Sequence, residues 1–567
     1  GGLASEQIRW TQELIQLNQD KIDLTGNILI AAGYVAYAGA FTSNFRNDLI
    51  SDWTKACKEC SIPVDLKFSL ERIIGDPTTI RSWQIQGLPA DSLSTENGII
   101  VVKGRRWPLM IDPQTQANRW IRAKEKINRI QVIKLTESTY LRTLENCIRV
   151  GNPVLLENVE ERLDPALEPI LSKLTFKSAG RTLIRLGDTD VDYSPDFKFY
   201  ITTKLPNPHY PPEISVKVTI VNFTVTPKGL EDQLLVQVVA HERPELEEEK
   251  NKLVVQIADG QKQLKDIEDK ILYMLANSQG NILDDEVLIA TLAASKTTSK
   301  EINFQLTQAS ETKTKIESAC EGYRPVAKRG AVLYFVIADF GSVDPMYQYS
   351  LQFFVNLFNV CMDKSLTSDV LDERVANMIQ VATEDVYTNV CRGLFEKDKK
   401  MFSFMIAIQI MRQEHKSISD AEWGFFLNKG GFLDEALLPP NPADDWIKVD
   451  HLAGLANLEK ITGFEGLLLA LPNDIDDWKK WFDSLNPQDD PFPGKWERKL
   501  SQFQKLLVIR VLRDEKVVPA VTNFILNNIG KHFIDVPPFD LAASFKDSAP
   551  NVPIIFVLST GADPTMY

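Results

Sequence analysis

The chain has 567 residues, of which 44% are apolar and 25% are charged, and its formal net charge is -14. This length is too great for one compact core, so we expect roughly three or four structural units of a globular protein. The acidic balance argues against a general nucleic-acid binder, which would need clustered lysines and arginines to neutralise phosphates.

The first predicted elements are helical. Residues 4–18 have the pattern of the end of an incoming helix, and the apolar run at 28–41 is too short to span a bilayer. We therefore expect a buried helix here and no membrane partner, and no secretory signal pattern is visible. Cys57 and Cys60 form a lone CxxC pair without the further ligands that a metal site needs, so no metal is expected.

Five short apolar segments follow, and helical patterns separate them. This alternation predicts a parallel sheet covered by helices on both faces, which is the arrangement of a doubly wound α/β domain. A ligand of such a domain would bind at the carboxyl ends of the strands. The segments are residues 108–112, 131–135, 153–159, 197–205 and 216–225.

The loop after the first segment has the position of a phosphate-binding loop. Pro113, Gln114, Thr115 and Gln116 connect the strand to a helical pattern. A P-loop needs glycines so that backbone amides approach the phosphates, and a lysine for the outer phosphates. This loop has neither, and only Thr115 offers a hydroxyl. The sequence therefore predicts a degenerate loop and no bound nucleotide cofactor.

Two more strand ends depart from nucleotide chemistry. The 153–159 segment resembles a Walker B strand, in which Asp serves magnesium and Glu orients the attacking water, but Glu157 and Asn158 take those places. Asn cannot accept a proton from water, so hydrolysis should fail even if a nucleotide bound. Lys204 stands where a sensor Asn is expected. We accordingly predict no catalytic residue in this segment.

Two charged stretches on either side of a turn-like segment at 277–286 carry apolar residues at alternating spacings of three and four. This predicts two helices of an antiparallel hairpin, each about 45 Å long. The hairpin either packs on the core or projects as a coiled coil, and its charged outer faces favour projection. Apolar seam positions include Leu253, Ile257 and Leu264 in the first arm and Ile302, Ala309, Ile316 and Cys320 in the second.

The rest of the chain is predicted to be mostly helical. Apolar and aromatic residues at helical spacing after residue 322 predict a helical bundle. Proline-rich loops around short tryptophan-bearing helices begin near Leu437. The apolar run 553–558 predicts a further strand.

Several long motifs resemble the fifth AAA+ module of dynein heavy chains: "RRWPLMIDPQTQANRWI", "PVLLENVEERLDPALEPIL" and "YSPDFKFYITTKLPNPHYPPE". The segment "FDLAASFKDSAPNVPIIFVLSTGADP" resembles the start of the sixth module, and "ENGIIVVKGRRWPLMIDPQ" resembles axonemal members of the family.

This resemblance implies an α/β AAA+ (P-loop NTPase-like) large domain, a helical small domain, a projecting antiparallel coiled-coil hairpin and part of a second AAA+ module. It also implies that the hairpin is the strut, or buttress, that braces the microtubule-binding stalk. The expected segments are 1–26, the end of the returning stalk helix; 27–240, the large domain; 241–321, the strut; 322–436, the small domain; and 437–567, the truncated sixth module.

The resemblance further implies a part of an ATPase motor in the axoneme of cilia, with ATP and magnesium in other modules. Its expected partners are the stalk coiled coil, the neighbouring modules, other dynein subunits, and microtubules through the stalk alone. The sixth-module loop is also degenerate, at Thr560, Gly561, Ala562 and Asp563. Two alternatives stay open: an active ATPase with an unusual site at Thr115 and Glu157, and a scaffold that uses an AAA+-like sheet.

Overall fold

The computed structural model describes residues 4–565 except 179, 188, 278–285, 430, 432–437, 444, 536–540, 547, 549, 551, 552, 559, 562 and 564. The chain divides into two compact units, Gly1–Arg324 and Pro325–Tyr567. Each unit has its own elements and is described separately.

The first unit is an α/β domain followed by two long helices. Its helices are α1 (Ala4–Tyr37), α2 (Ser43–Glu59), α3 (Leu70–Ile74), α4 (Pro77–Ile85), α5 (Ser92–Lys103), α6 (Gln116–Lys124), α7 (Tyr140–Val150), α8 (Glu168–Leu171), α9 (Pro212–Ser215), α10 (Pro227–Glu242), α11 (Pro244–Asn277) and α12 (Glu286–Glu321). Its strands are β1 (Trp107–Ile111), β2 (Gln131–Lys134), β3 (Val154–Glu157), β4 (Thr175–Ser178), β5 (Arg181–Leu186), β6 (Thr189–Asp192), β7 (Phe199–Thr203) and β8 (Val218–Asn222).

Five strands form one parallel sheet in the order β2-β3-β7-β1-β8. All five segments predicted from the sequence are confirmed. Because side chains alternate between the faces of a strand, Leu109 enters one hydrophobic core and its neighbour Met110 enters the other. Both faces of the sheet are therefore buried, as the continuous apolar runs require.

A second sheet was not predicted. Strands β4, β5 and β6 form a small antiparallel sheet between β3 and β7 along the chain. All four residues of β4 are exposed, whereas Ile184 of β5 and Val191 of β6 are buried. The segment is too polar to show the apolar run by which the parallel strands were identified.

One carboxylate is buried beneath the parallel sheet. Glu125 directly follows α6 and is 1% exposed. Its Oε1 accepts hydrogen bonds from Lys124 at 2.5 Å and from the hydroxyl of Tyr200 at 2.8 Å, and its Oε2 accepts one from Asn128 at 2.6 Å. Lys198 adds an ion pair at 3.3 Å. These contacts connect the end of α6 to β7.

Residues 28–37 of the apolar run form the end of α1 and residues 38–40 form a short 3-10 helix, so the predicted helix is present but only one side of it is buried. Ile30, Ala31 and Tyr34 are buried, whereas Leu14 and Ile15 near the other end of the helix are exposed. Among the described residues, no helix combines the length and apolar character needed to cross a membrane.

Helices α11 and α12 lie side by side in opposite directions. Gly260 of α11 is so close to α12 that an added Cβ would lie 2.8 Å from Cδ2 of Leu306. Nearer the ends of the pair, burial raises the pKa of the Cys320 thiol of α12, and Lys250 of α11 is close enough to oppose that rise. The predicted seam residues of α12, Ile302, Ala309, Ile316 and Cys320, are buried, whereas those of α11, Leu253, Ile257 and Leu264, are half-buried. The predicted turn falls largely on 278–285, outside the described residues.

In the described part of the second unit the regular elements are helical. They are α13 (Arg324–Phe340, which begins at the last residue of the first unit), α14 (Leu351–Lys364), α15 (Leu371–Cys391), α16 (Glu396–Gln413), α17 (Asp420–Asn428), α18 (Val449–Leu458), α19 (Leu467–Ala470), α20 (Ile475–Asp483), α21 (Trp496–Lys499), α22 (Gln502–Leu512), α23 (Val517–Asn528) and α24 (Leu541–Lys546).

The predicted strand at 553–558 is wrong for this structure. These residues belong to no strand, and Ile555 and Val557 are 82% and 63% exposed. A strand needs a neighbour to accept its backbone hydrogen bonds, and the described residues of this unit supply none.

Candidate functional site

The candidate site lies where β1, β3 and β7 end. These strands are neighbours in the sheet and run parallel. Their carboxyl ends therefore share one edge, which is the usual ligand position in this type of sheet. The residues that follow the three strands, beginning at Asp112, Asn158 and Lys204, are brought to this edge, with Glu157 as the last residue of β3.

The loop after β1 is short and tightly held. Pro113, Gln114 and Thr115 form it, and Gln116 is already the first residue of α6. Thr115 has a φ of 60°, in the left-handed region that costs energy for a residue other than glycine. The Oε1 atom of Gln114 accepts a hydrogen bond from the backbone amide of Val225 at 3.3 Å. The loop is thus fixed to the segment after β8.

A carboxylate occupies the amino end of α6. Oδ1 of Asp112 accepts the backbone amide of Gln116 at 2.8 Å, and Oδ2 accepts that of Asn118 at 2.8 Å. The first amides of a helix have no partner within the helix, and in P-loop proteins they bind phosphate. In this chain Asp112 is the anion at that position.

The Asp112 side chain is only 1% exposed. Burial raises the pKa of its carboxyl to about 6, although the backbone amides of Asn118, Gln116 and Ala117 and the charge of Arg119 act in the opposite direction. The carboxyl is therefore mostly ionised at neutral pH and gains a proton in mildly acidic solution.

Glu157, the Walker B position, is tied to the same helix. It is 8% exposed, and its Oε1 accepts a hydrogen bond from Nδ2 of Asn118 at 2.7 Å and forms an ion pair with Arg122. Burial alone would raise the pKa of Glu157, but Asn118 and Arg122 outweigh it, so the pKa is below its ordinary value. A carboxylate held this way is a poor general base.

The other two predicted positions point to solvent. Asn158 has a φ of 55° and is exposed, and Lys204 is exposed after the end of β7. The structure thus brings Glu157 into a network with α6, whereas Asn158 and Lys204 lie outside that network.

Amide side chains fill the space beside the loop. Nε2 of Gln116 donates to Oε1 of Gln233 at 2.7 Å, and Nε2 of Gln233 donates to Asp91 at 3.4 Å. The cavity that these residues line has a volume of about 10 Å³, which is roughly the space for one water molecule. A nucleoside does not fit there.

Taken together, these residues do not suit a nucleoside triphosphate. The helix amides are already bonded to a carboxylate, which would repel phosphate, and the adjoining cavity is too small. The described residues also contain no cluster of His, Cys, Asp and Glu that could hold a metal ion.

Sequence reasoning missed Asp112, Asn118, Arg122 and Gln233. Asp112 follows the strand directly, and Asn118 and Arg122 are one helical turn apart on α6, a spacing that places two side chains on one face. This spacing was the available signal for the α6 residues. Gln233 comes from α10, and no local pattern could have identified it.

The predicted sixth-module loop is only partly described. Thr560 and Gly561 are exposed, and Oδ1 of Asp563 accepts the backbone amide of Thr565 at 2.9 Å. Ala562 lies outside the described residues.

The root of the α11–α12 pair is held by ion pairs. One guanidinium nitrogen of Arg324 lies 2.8 Å from Glu231 and 2.9 Å from Asp232, both on α10, and Arg324 also pairs with Glu321 at the end of α12. These carboxylates raise the pKa of Arg324, with Glu321 the largest contributor. Arg324 therefore connects the second long helix to the α/β domain.

Two family models match the chain. The "ATP-binding dynein motor region" matches residues 81–302, and the "Microtubule-binding stalk of dynein motor" matches residues 1–56.

The chain is 48% identical to human "Dynein axonemal heavy chain 6", over 99% of this chain and 14% of that protein. It is 47% identical to mouse "Dynein axonemal heavy chain 3", again over 99% and 14%. It is 42% identical to "Dynein-1-beta heavy chain, flagellar inner arm I1 complex" of Chlamydomonas reinhardtii, over 100% and 12%. It thus spans less than one sixth of these relatives.

Proposed function

Because the chain belongs to the dynein heavy chain family and its relatives are axonemal, we propose that it is a structural and mechanical part of a ciliary dynein motor that does not itself hydrolyse ATP. The axonemal relatives indicate a cytoskeletal location, in the axoneme of a cilium or flagellum. The dynein motor and its microtubule-binding stalk carry out ATP-dependent movement as a whole.

The observation that carries this proposal is the carboxylate of Asp112 on the amides of α6. The matched family region is described as ATP-binding, yet in this chain the amides that would bind a phosphate already have an anionic partner. The exposed position of Lys204 and the binding of Glu157 by Asn118 and Arg122 support the same conclusion.

We assign the parts of the chain to modules on the same basis. Residues 27–240 form the large domain of the fifth AAA+ module, and residues 322–436 form its helical small domain. Residues 437–567 belong to the sixth module, and residues 1–26 are the end of the returning stalk helix. Residues 241–321 form a coiled-coil strut, supported by the burial of Ile302, Ala309 and Ile316 between two long antiparallel helices.

In this proposal the strut transmits movement. ATP chemistry in other modules shifts the ring, the fifth module moves as a body, and the strut displaces the stalk coiled coil, which changes microtubule affinity. A strut can transmit force only if its root is fixed, and the ion pairs of Arg324 with Glu231 and Asp232 supply such a fixed root. The partners are then the stalk coiled coil, neighbouring modules, other dynein subunits, and microtubules through the stalk.

Photo-crosslinking with 8-azido-ATP in the full-length motor separates this function from an active site at Thr115 and Glu157. We expect labelled peptides from other modules and none from residues 81–240. Labelling of the peptide that contains Thr115, together with turnover that is lost in Glu157→Gln alone, would establish the active-site alternative.

A shortened strut tests the mechanical part. Replacing residues 261–303 by a short turn keeps the root and removes the outer part of both arms. We expect microtubule affinity to lose its dependence on nucleotide while ATP binding by other modules is retained. Unchanged coupling would mean that the hairpin is a docking site or a packing element rather than a strut.

A further inference from the structure

Helix α1 changes its environment at Gly26. Of the residues between 14 and 25, all but Asp23 are exposed, including Leu14, Leu17 and Leu24. Gly26 and Asn27 are buried, and Ile30 further along the helix is 2% exposed. The helix therefore enters the α/β domain at Gly26.

A loop contacts the helix at this point. The backbone nitrogen of Gly26 lies 3.2 Å from the carbonyl oxygen of Pro63, to which it donates a hydrogen bond. A Cβ on Gly26 would be 2.2 Å from that oxygen and 2.8 Å from Cβ of Val64. Only glycine permits this approach, since a real Cβ cannot come so near backbone atoms. The next residue, Asn27, accepts the backbone amide of Asp65 on its Oδ1 at 3.1 Å.

The loop is itself fixed at both ends. The amide of Ile62 donates to the carbonyl of Cys57 in α2 at 2.8 Å. The Asp65 carboxylate accepts the amide of Lys67 at 2.9 Å and pairs with Arg72 of α3. The amide of Lys67 is the largest of the contributions that lower the pKa of Asp65, so this carboxylate stays ionised at physiological pH. Because residues 61–65 are bonded to α2 and α3, they can hold α1 in place and do not simply move with it.

The part of the chain just after α1 is attached to the sheet as well. Arg46 is 1% exposed, and one of its nitrogens donates to the carbonyl of Gly39 at 2.9 Å and to Oδ1 of Asn97 at 2.7 Å. Asn97 in turn donates to the carbonyl of Asn222 at the end of β8, at 2.7 Å. A buried charge with several hydrogen bonds is costly to disturb. Residues beyond the loop contact therefore move with the sheet.

We propose that residues 61–65 are a clamp that fixes the position and register of α1 where it enters the α/β domain. The preceding residues form a lever that bends about Gly26, and residues 26–37 move as part of the domain. Sliding α1 along its axis would break the Gly26–Pro63 and Asn27–Asp65 hydrogen bonds together. The helix residues that the clamp holds, Gly26 and Asn27, lie within residues 1–56, the segment that matches the dynein stalk. The effect of the clamp on microtubule affinity rests on the proposed function, whereas the clamp itself does not.

Hydrogen exchange in the full-length motor tests the clamp. Gly26→Ala places a methyl group against the Pro63 backbone, so we expect exchange in residues 61–66 to rise about tenfold. Gly33→Ala is the matched control in the same helix, because its Cβ would lie an ordinary 3.4 Å from the ring of Trp53. Asn27→Ala removes one hydrogen bond without a clash and should give a smaller increase in the same peptide. Equal exchange in Gly26→Ala and wild type, or an equal effect of Gly33→Ala, would overturn the clamp.

Spin labels give a second readout. With one label at the exposed residue Ile127, a partner label at Leu29 should show a narrow distance distribution and one at Ile15 a broad one. Gly26→Ala should broaden the Leu29 distribution. A broad Leu29 distribution in the wild-type background would also overturn the proposal. The clamp can be verified while microtubule affinity in Gly26→Ala keeps its normal nucleotide dependence. That result would contradict transmission of movement through this contact and leave the clamp itself established.

Discussion

The backbone amide of Asn118 donates a hydrogen bond to the carboxylate of Asp112 at 2.8 Å, across the first turn of α6. Nδ2 of the same Asn118 donates to Glu157 at 2.7 Å. One residue thus binds the carboxylate that follows β1 and the carboxylate that ends β3, two strands on either side of β7. A P-loop protein would bind phosphate at the first of these positions and orient the hydrolytic water at the second. In this chain Asn118 connects the two positions by hydrogen bonds.

Removing the Asp112 carboxylate should expose an anion site. In Asp112→Gly the amides of Gln116 and Asn118 lose their partner, and the helix end then favours an anion. We expect added inorganic phosphate to slow exchange of these amides in the variant within the full-length motor and to leave the wild type unchanged. Asp91→Gly, at the start of α5, is the control for losing a helix cap nearby. Phosphate protection in the wild type as well would contradict the role given to Asp112.

The raised pKa of Asp112 makes local stability depend on pH. Its pKa is about 6 in the folded chain against an ordinary 3.8, so the folded state binds this proton more tightly. The protonated Asp112 carboxyl therefore stabilises the folded state fully below about pH 4, and this stabilisation is lost as the pH rises through 6. Relative to Asp112→Asn, which does not titrate, the opening free energy of α6 in the wild type should fall by roughly 2–3 kcal/mol from pH 4 to pH 7.

Hydrogen exchange of residues 112–124, corrected for the intrinsic pH dependence of exchange, measures this difference. A difference between wild type and Asp112→Asn that stays constant over this range would show that Asp112 titrates normally.

Arg324→Ala should loosen the root of the long helical pair. The change removes ion pairs to Glu231, Asp232 and Glu321 and leaves three carboxylates close together. Since the pairs are partly exposed, we expect a loss of about 1–2 kcal/mol in the opening free energy of residues 231–245 and 317–324. Hydrogen exchange locates the effect.

Lys313→Ala is the matched control on the same helix. It removes an exposed pair with Glu317 at 3.8 Å, which should cost less than about 0.5 kcal/mol. Equal effects of the two substitutions would argue against a special role for Arg324.

Glu125→Gln should weaken the attachment of α6 to β7. Burial would raise the pKa of Glu125, but Lys124, Asn128 and Tyr200 lower it to about 2. Its stabilisation is therefore full above about pH 4.5 and lost as the pH falls through 2. At pH 7 the variant should lose about 2–4 kcal/mol of opening free energy in α6 and β7.

Tyr200→Phe removes the hydroxyl that donates to Glu125 and accepts a long hydrogen bond from Lys124 at 3.5 Å, and it leaves both lysines. It should lose about half as much in the same exchange measurement. The Glu125→Gln effect should also shrink toward pH 3. An effect independent of pH between 3 and 7 would point to lost packing instead of a lost charge.

The sequence was sufficient to identify the parallel sheet, because its buried strands are continuous apolar runs such as that of β3. It was insufficient for β4, whose four residues are all exposed and include a single apolar side chain, that of Phe176. The predicted strand at 553–558 shows the opposite error. An apolar run indicates a preference for extended structure, but pairing depends on a neighbour from elsewhere in the fold.

The position of the candidate site was likewise predictable from the sequence, but the contacts within the site were not. Strand order located Thr115, Glu157 and Lys204 correctly at one edge. The partner of Gln116 is Gln233, 117 residues later in the chain, and such a contact follows from tertiary structure alone. The role of Asp112 depends on the orientation of backbone amides, which residue identity does not reveal.

The two edges of the parallel sheet affect whether separate molecules of this segment aggregate when it is expressed. At one edge β2 has only four residues, with Gln131 and Lys134 exposed. At the other, the chain near Gly39 comes so close to β8 that a Cβ there would lie 2.4 Å from the carbonyl oxygen of Ile220. Short, charged or covered edges prevent strands of separate molecules from pairing. The sheet is thereby protected against aggregation by edge-to-edge association.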